Sequence, residues 1–346
     1  MSAFVATLGL PEVLAGVIVL ALNAYVLMGG ADFGGGVWDL LAGGPRREEQ
    51  RELIATSIAP IWEANHVWLI VVVVMTFTAF PSVYATLATV LHIPLTLLLV
   101  GIVLRGSAFV IRSYGTHTDV ARRRWGLAFA VSSLVTPVLL GITIGALVSG
   151  RVAGAAARVG HGSFVSVFVA PWLSVFTVTI GLFALALFAF LAAVYLAVAA
   201  PDPALREDFR RRALAAAAAV FVLAALALLS ARSSAPQLAH GVMGTVWALV
   251  LHLCTAAAAI AAIVALWRRN YGAARIAAAA QVSLILWGWA LAQYPFVVPP
   301  SLTIGQAAAP RITLDLLSIG LVLGAAILLP SLRYLFKTFA KPMSLR

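Results

Sequence analysis

In the segment Pro60-Ile61-Trp62-Glu63-Ala64-Asn65-His66-Val67-Trp68, a carboxyl, an amide and an imidazole stand inside an otherwise apolar run. Ionisable groups within a membrane span are costly, so each is a functional candidate by default. At about 100° per residue, Glu63 and His66 fall about 60° apart on one helix face. Counted from Thr56 at about 1.5 Å per residue, Glu63 lies roughly 10 Å below the membrane surface. A carboxyl at that depth is desolvated and suited to exchanging protons near neutrality. Pro60 removes a nearby helix hydrogen bond and frees a carbonyl to hold water. The plainer reading is that Glu63 and His66 hydrogen-bond between helices and hold them together.

A second polar element is Gly29-Gly30-Ala31-Asp32-Phe33-Gly34-Gly35-Gly36. Glycines permit close backbone approach and positive φ, and a turn there would let Asp32 accept from freed N–H groups. A phosphate-cradling loop would need a following lysine or a preceding strand, and neither is present. Asp32 and Glu63 together suit a proton entrance, while Asp32 alone equally suits a helix-terminating turn. Arg105 either snorkels to the interface or pairs with a buried carboxylate. His92 and His252 lie in other apolar runs, and Glu12 and Asp315 sit near run ends. Haem ligation would draw on His66, His92, His252, Met75 or Met243, but no spacing singles out a pair. The lone Cys254 forms no intrachain disulfide, and nothing suggests a metal site.

These groups need helices in lipid to position them. Of 346 residues, 63% are hydrophobic and 10% charged, against about 45–50% and about 25% in soluble domains. Runs long enough to cross a bilayer fall near 9–29, 56–79, 83–108, 126–149, 168–198, 213–231, 241–267, 276–294 and 313–336. The first reads as a membrane helix rather than a cleaved signal. The expectation is an all-α integral membrane protein of nine helices forming one polytopic domain over 1–346.

The net charge is +11. Most of the 23 Lys and Arg sit in alternate loops: around Arg46–Arg51, Arg112–Arg124, Arg206–Arg212 and Arg268–Arg275, and in the tail from Arg333. Such clusters set topology rather than bind nucleic acid, and the positive-inside rule makes them cytoplasmic. The N-terminus is then outside and the C-terminus inside, which needs an odd number of spans. Gly43-Gly44-Pro45, Pro201-Asp202-Pro203 and the outer segment Tyr294–Pro310 read as loops. Alanine-rich 213–219 and 276–280 read as faces for close helix packing.

The stretch Gly29 to Arg112 resembles subunit II of the cytochrome bd quinol oxidases. It is carried by GGADFGGGVWDLL, SIAPIWEANHVWLI and FPSVYATLATVLHIPLTLLLVGIVLRGSAF in order. The late WGWALAQYPFVVPPSLTIGQAAAP and the closing LLPSLRYLFKTF are also similar to that family. The resemblance implies two four-helix bundles plus a peripheral helix in a bacterial or archaeal cytoplasmic membrane. It also implies a partner, subunit I, that holds haems b and d and oxidises quinol while dioxygen is reduced to water. On that pattern Glu63 and Asp32 carry protons, with His66 and Arg105 as further candidates. Trp62 and Asn65 fall on recurrent positions that line the path or hold a structural quinone. A small single-span accessory subunit accompanies some members.

Two departures stand out: Val110 where an acid is frequent, which would leave Arg105 to find another partner, and Ala64 where glycine is common. A purely structural subunit and an unrelated ion or solute transporter are the rival functions. No paired broken helices in related halves favour the transporter.

Overall fold

A computed structural model of the chain describes residues 9–58, 62–114 and 119–339. Within these, the side chains of residues 58, 62, 63, 112–114, 119, 122, 123, 336 and 339 lie outside the description. In chain order the helices begin with α1 (Leu10–Leu40), α2 (Arg47–Ile58), α3 (Trp62–Ala79), α4 (Pro81–Val90), α5 (His92–Tyr114) and α6 (Asp119–Val148). There follow α7 (Arg151–Ala156), α8 (Phe164–Phe168), α9 (Val175–Ala199), α10 (Pro203–Ser234), α11 (Pro236–Met243), α12 (Val246–Trp267) and α13 (Tyr271–Gln293). A small antiparallel hairpin, β1 (Phe296–Val298) and β2 (Leu302–Thr303), precedes α14 (Ile304–Ala307) and α15 (Arg311–Phe339).

Eight helices, α1, α5, α6, α9, α10, α12, α13 and α15, are long and apolar enough to cross a membrane. Helices α3 and α4 meet the same test together but bend by 115°, so the total among the described residues is eight, or nine if the pair is one broken span. The chain is thus an all-α, multi-pass membrane protein. Helix α9 is the most buried of the eight and α15 the least. Around α9 pack α1, α6 and α10.

Several expected boundaries move, each for a local reason. The first span, expected to stop at residue 29, runs unbroken to Leu40. Gly29–Gly36 is helical, and positive φ among described glycines occurs elsewhere, at Gly44, Gly150 and Gly160. The turn expected at Asp32 is therefore the interior of a helix. Tertiary contact overrides the low helix propensity of glycine here. A Cβ on Gly34 would collide with the Phe188 carbonyl of α9, and one on Gly36 with the Ser133 side chain of α6.

Of the expected span 56–79, residues 59–61 lie outside the described residues. α2, up to Ile58, carries Arg47, Glu48, Glu49, Arg51 and Glu52, and the apolar helix α3 is described from Trp62 to Ala79. Glu63 stands in the first described turn of α3. Polar bonds tie the start of α2 to α10. Arg46 donates to both carboxylate oxygens of Asp208, at 2.9 and 2.6 Å. Gln50 donates to Asp208 at 3.0 Å and accepts from Arg212 at 2.7 Å. The hydrogen bonds from Arg46 to Asp208 hold the Arg46 guanidinium above its ordinary pKa.

The expected span 83–108 starts late, at His92. Pro81 has no N–H to extend α3, so the chain turns, and the Ala79 carbonyl accepts from the Ala309 amide at 2.8 Å instead. The expected fifth span starts at Val175, where Ser174 caps α9. The sixth extends back to Pro203 because Asp202 Oδ2 accepts from the amides of Ala204 and Leu205, at 2.9 and 3.0 Å. The seventh divides into α11 and α12 at Gly244 and Thr245. The remaining three spans keep their places within a few residues. As the alanine runs suggested, Ala213, Ala216 and Ala278 are buried.

Gly34→Ala should push α1 off α9 at a cost of about 1–3 kcal/mol, read as a lower thermal inactivation temperature of the detergent-purified protein. Gly16→Ala, where a Cβ meets nothing within 4 Å, should leave that temperature unchanged. Equal behaviour of the two variants would contradict the close packing.

Candidate functional site

A cluster of buried polar groups lies where α1, α3, α5 and α6 meet. Asp32 is 4% exposed and Asn65 1% exposed. They reach each other from α1 and α3, with Asn65 Nδ2 donating to Asp32 Oδ2 at 2.5 Å. Asp32 lies eight residues, or about 12 Å of helix rise, from the end of α1 at Leu40. The carboxyl expected to lie deep was Glu63, whose side chain lies outside the described residues; Asp32 is the carboxyl found buried here, within α1.

Arg105 of α5 is 2% exposed, so it does not snorkel to a surface of the chain. Its guanidinium carbon lies 4.6 Å from the Phe33 ring centroid and 5.3 Å from that of Phe129. Its Nε donates to Ser133 Oγ at 3.3 Å. Desolvated cation–π contacts of this kind are worth about 2 kcal/mol or more each. Arg105, Asp32 and Tyr25 are near enough for their charges to act on one another. One positive and one negative group thus share an apolar interior, which lowers the cost of burying either.

His66 lies beside this pair. Its ring meets Tyr25 edge-on at 6.0 Å and Phe33 at 6.2 Å. Arg105 Nη2, Asn65 Oδ1 and Trp68 Nε1 are buried without a hydrogen-bond partner among the described residues. Buried polar atoms of this kind are ordinarily satisfied by ordered water or another molecule. The arrangement is a carboxylate and a guanidinium with unspent hydrogen-bonding capacity, walled by aromatic rings. Its chemistry is proton exchange or charge pairing.

The sequence candidates are therefore partly assembled. Asp32, Asn65, His66 and Arg105 converge. The side chains of Glu63 and Trp62 lie outside the described residues, although both belong to the first turn of α3. Val110 is 41% exposed. It stands five residues after Arg105, on another face of α5, so an acid there would not reach Arg105 within the chain. Tyr25, Phe129 and Ser133 were not anticipated. Tyr25 sits one heptad before Asp32, a spacing visible in the sequence once α1 is read as continuous.

His92 and His252 make local bonds. His92 Nδ1 lies 2.9 Å from the Thr89 carbonyl and His252 Nδ1 2.6 Å from that of Ala248. Among the described residues, no three His, Cys, Asp or Glu side chains converge as a metal-binding group. A separate apolar cavity of about 760 Å³ runs between α9, α10, α12 and α13, bordered by His252, Gln281 and Trp289. Asn65 is not part of its lining.

The chain is 30% identical over 133 residues to the cytochrome bd ubiquinol oxidase subunit 2 of Bacillus subtilis (strain 168), covering 38% of each. It is 31% identical over 129 residues to the cytochrome bd-I ubiquinol oxidase subunit 2 of Escherichia coli (strain K12), covering 37% of this chain and 33% of that one. These alignments thus span little more than a third of either curated relative. The fold matches a chain of the bd oxidase from Geobacillus thermodenitrificans with a TM-score of 0.77 at 22% identity, over 95% of this chain and 98% of that one. The family described as cytochrome bd terminal oxidase subunit II matches residues 10–339. This chain belongs to the cytochrome bd terminal oxidase subunit II family.

Proposed function

We propose that this chain is the haem-free subunit of a quinol:dioxygen oxidoreductase and supplies its partner, subunit I, with protons from the cytoplasm. The observation that carries the reading is the buried Asp32–Asn65 bond beside the buried Arg105. Family membership supplies the reaction: quinol is oxidised and dioxygen is reduced to water in a complex whose haems b and d belong to subunit I. This chain then sits in the cytoplasmic membrane and does no redox chemistry alone.

In this reading Asp32 and Glu63 exchange protons, and Asn65 orients the Asp32 carboxylate. Arg105 sets the local potential and, through its unpartnered Nη2, holds water in the path. His66 lines the same chamber. A buried carboxylate with a nearby fixed cation can alternate between charged and neutral forms without moving the backbone. A structural quinone fits the cavity bordered by His252, Gln281 and Trp289 better than the surroundings of Asn65. The cavity offers a long apolar volume within the size range of ligand pockets, about 300–1,000 Å³, whereas Asn65 is enclosed. By the positive-inside rule the arginine-rich loops favour a cytoplasmic Leu40 and C-terminus and an outer β1–β2 hairpin.

Glu63→Gln and Asp32→Asn in the assembled complex should lower oxygen turnover by about 100-fold or more, the scale of a lost proton-transfer group, with haem content kept. A purely structural subunit instead predicts that haem content and turnover fall together. Normal turnover with full haem in both variants would remove the two acids from the path. For topology, Ser301→Cys and Glu48→Cys in a Cys254→Ala background should differ. The first should react with an impermeant maleimide in intact cells and the second only after permeabilisation; the opposite pattern would invert the chain.

A further inference from the structure

A second buried acid lies outside the site described above. Asp39 is 4% exposed and sits one residue before the end of α1. Tyr25, Asp32 and Asp39 are spaced by sevens, so they fall within about 20° of one another per step, on one stripe of α1. Asp39 is about 10 Å from Asp32 along the helix axis. Gly36, one helical turn before Asp39, brings no side chain to this stretch. The Ser133 side chain fills the place its Cβ would take, and Ser133 Oγ accepts from Arg105 Nε. Polar groups thus succeed one another from the end of α1 inward: Asp39, Ser133, Arg105 with Asp32, then Asn65.

A capping role does not explain Asp39. A carboxylate in the last turn of a helix opposes the helix dipole. Arg51 of α2 brings its Nε to 3.8 Å from Asp39 Oδ1, an ion contact longer than a hydrogen bond. The Arg51 side chain is 29% exposed against 5% for Asp39. One partner therefore touches water while the other is dry, and the contact joining them is loose.

We infer that Asp39, under the Arg51 guanidinium, is the acid that admits cytoplasmic protons to Asp32. As a carboxylate, Asp39 takes a proton from water at the membrane surface. As a carboxylic acid it releases that proton, by way of the Ser133 hydroxyl and water, to the Asp32 carboxylate and returns to its charged form. No electrons move in this step. Arg51 is a positioning residue: its guanidinium, 3.8 Å away, orients the Asp39 carboxylate. The inference rests on the proton-path reading given above.

The test uses the assembled oxidase complex, with oxygen turnover, haem content and the pH profile of turnover measured together. Asp39→Asn should lower turnover about tenfold or more at full haem content, with the deficit widening as pH rises and protons become scarce. Asp39→Glu should restore most of the rate, and Arg51→Gln should alter the pH profile more than the maximal rate. If Asp39→Asn loses haem and turnover in proportion with an unchanged pH profile, the residue is structural and the inference fails. If Asp32→Asn is slow while Asp39→Asn is normal, the entrance assigned here is wrong and the inner path stands. If both are normal at full haem content, the proton-path reading itself falls.

Discussion

A guanidinium with no route to solvent is the constraint around which this chain is arranged. Arg105 cannot lose its proton, and lipid cannot solvate it. Its surroundings supply what water would: two aromatic faces, a serine hydroxyl and the charge of Asp32. They come from two neighbours, Phe33 and Asp32 from α1 and Phe129 and Ser133 from α6, so the positions of α1 and α6 against α5 are fixed by the same cation. Asn65 extends this to α3 through its bond to Asp32. Packing and chemistry therefore share one centre.

The glycines of α1 make that centre possible. Side chains at Gly34 and Gly36 would hold α1 away from α9 and α6. Asp32 would then lie too far from Arg105 for either charge to compensate the other. At the membrane surface a separate network, Arg46–Asp208–Gln50–Arg212, fixes α2 to α10 and so holds Arg51 over the end of α1. Such partly exposed ion pairs add about 0–1 kcal/mol each; their value here is placement.

The class of fold was legible because composition and the length of apolar runs answer directly to the bilayer. Boundaries were less so. The Gly29–Gly36 stretch reads as a turn by propensity, yet helix contacts outweigh propensity, and this error hid the seven-residue spacing of Tyr25, Asp32 and Asp39. Hydropathy also merged α4 with α5, because Pro81 redirects the chain without changing its apolar character. Within the site, Asp32, Asn65, His66 and Arg105 were visible as polar residues in apolar runs. Ser133 and Phe129 were not, since a serine or a phenylalanine in a membrane helix is ordinary until its neighbour is known. Arg105 was the ambiguous case: sequence alone allowed snorkelling, and only the turn of α5 toward α1 and α6 decided against it.

The central claim is that Asp32 both neutralises Arg105 and moves protons. Stability and oxygen turnover of Asp32→Asn, Arg105→Met and the double variant, measured on the same assembled complex, separate the two roles. Removing one partner of a buried pair costs about 3–5 kcal/mol, while removing both can be nearly neutral. The account predicts that the double variant regains thermal stability lost by Asp32→Asn yet stays slow. Recovery of turnover together with stability would contradict it, leaving the pair as packing alone.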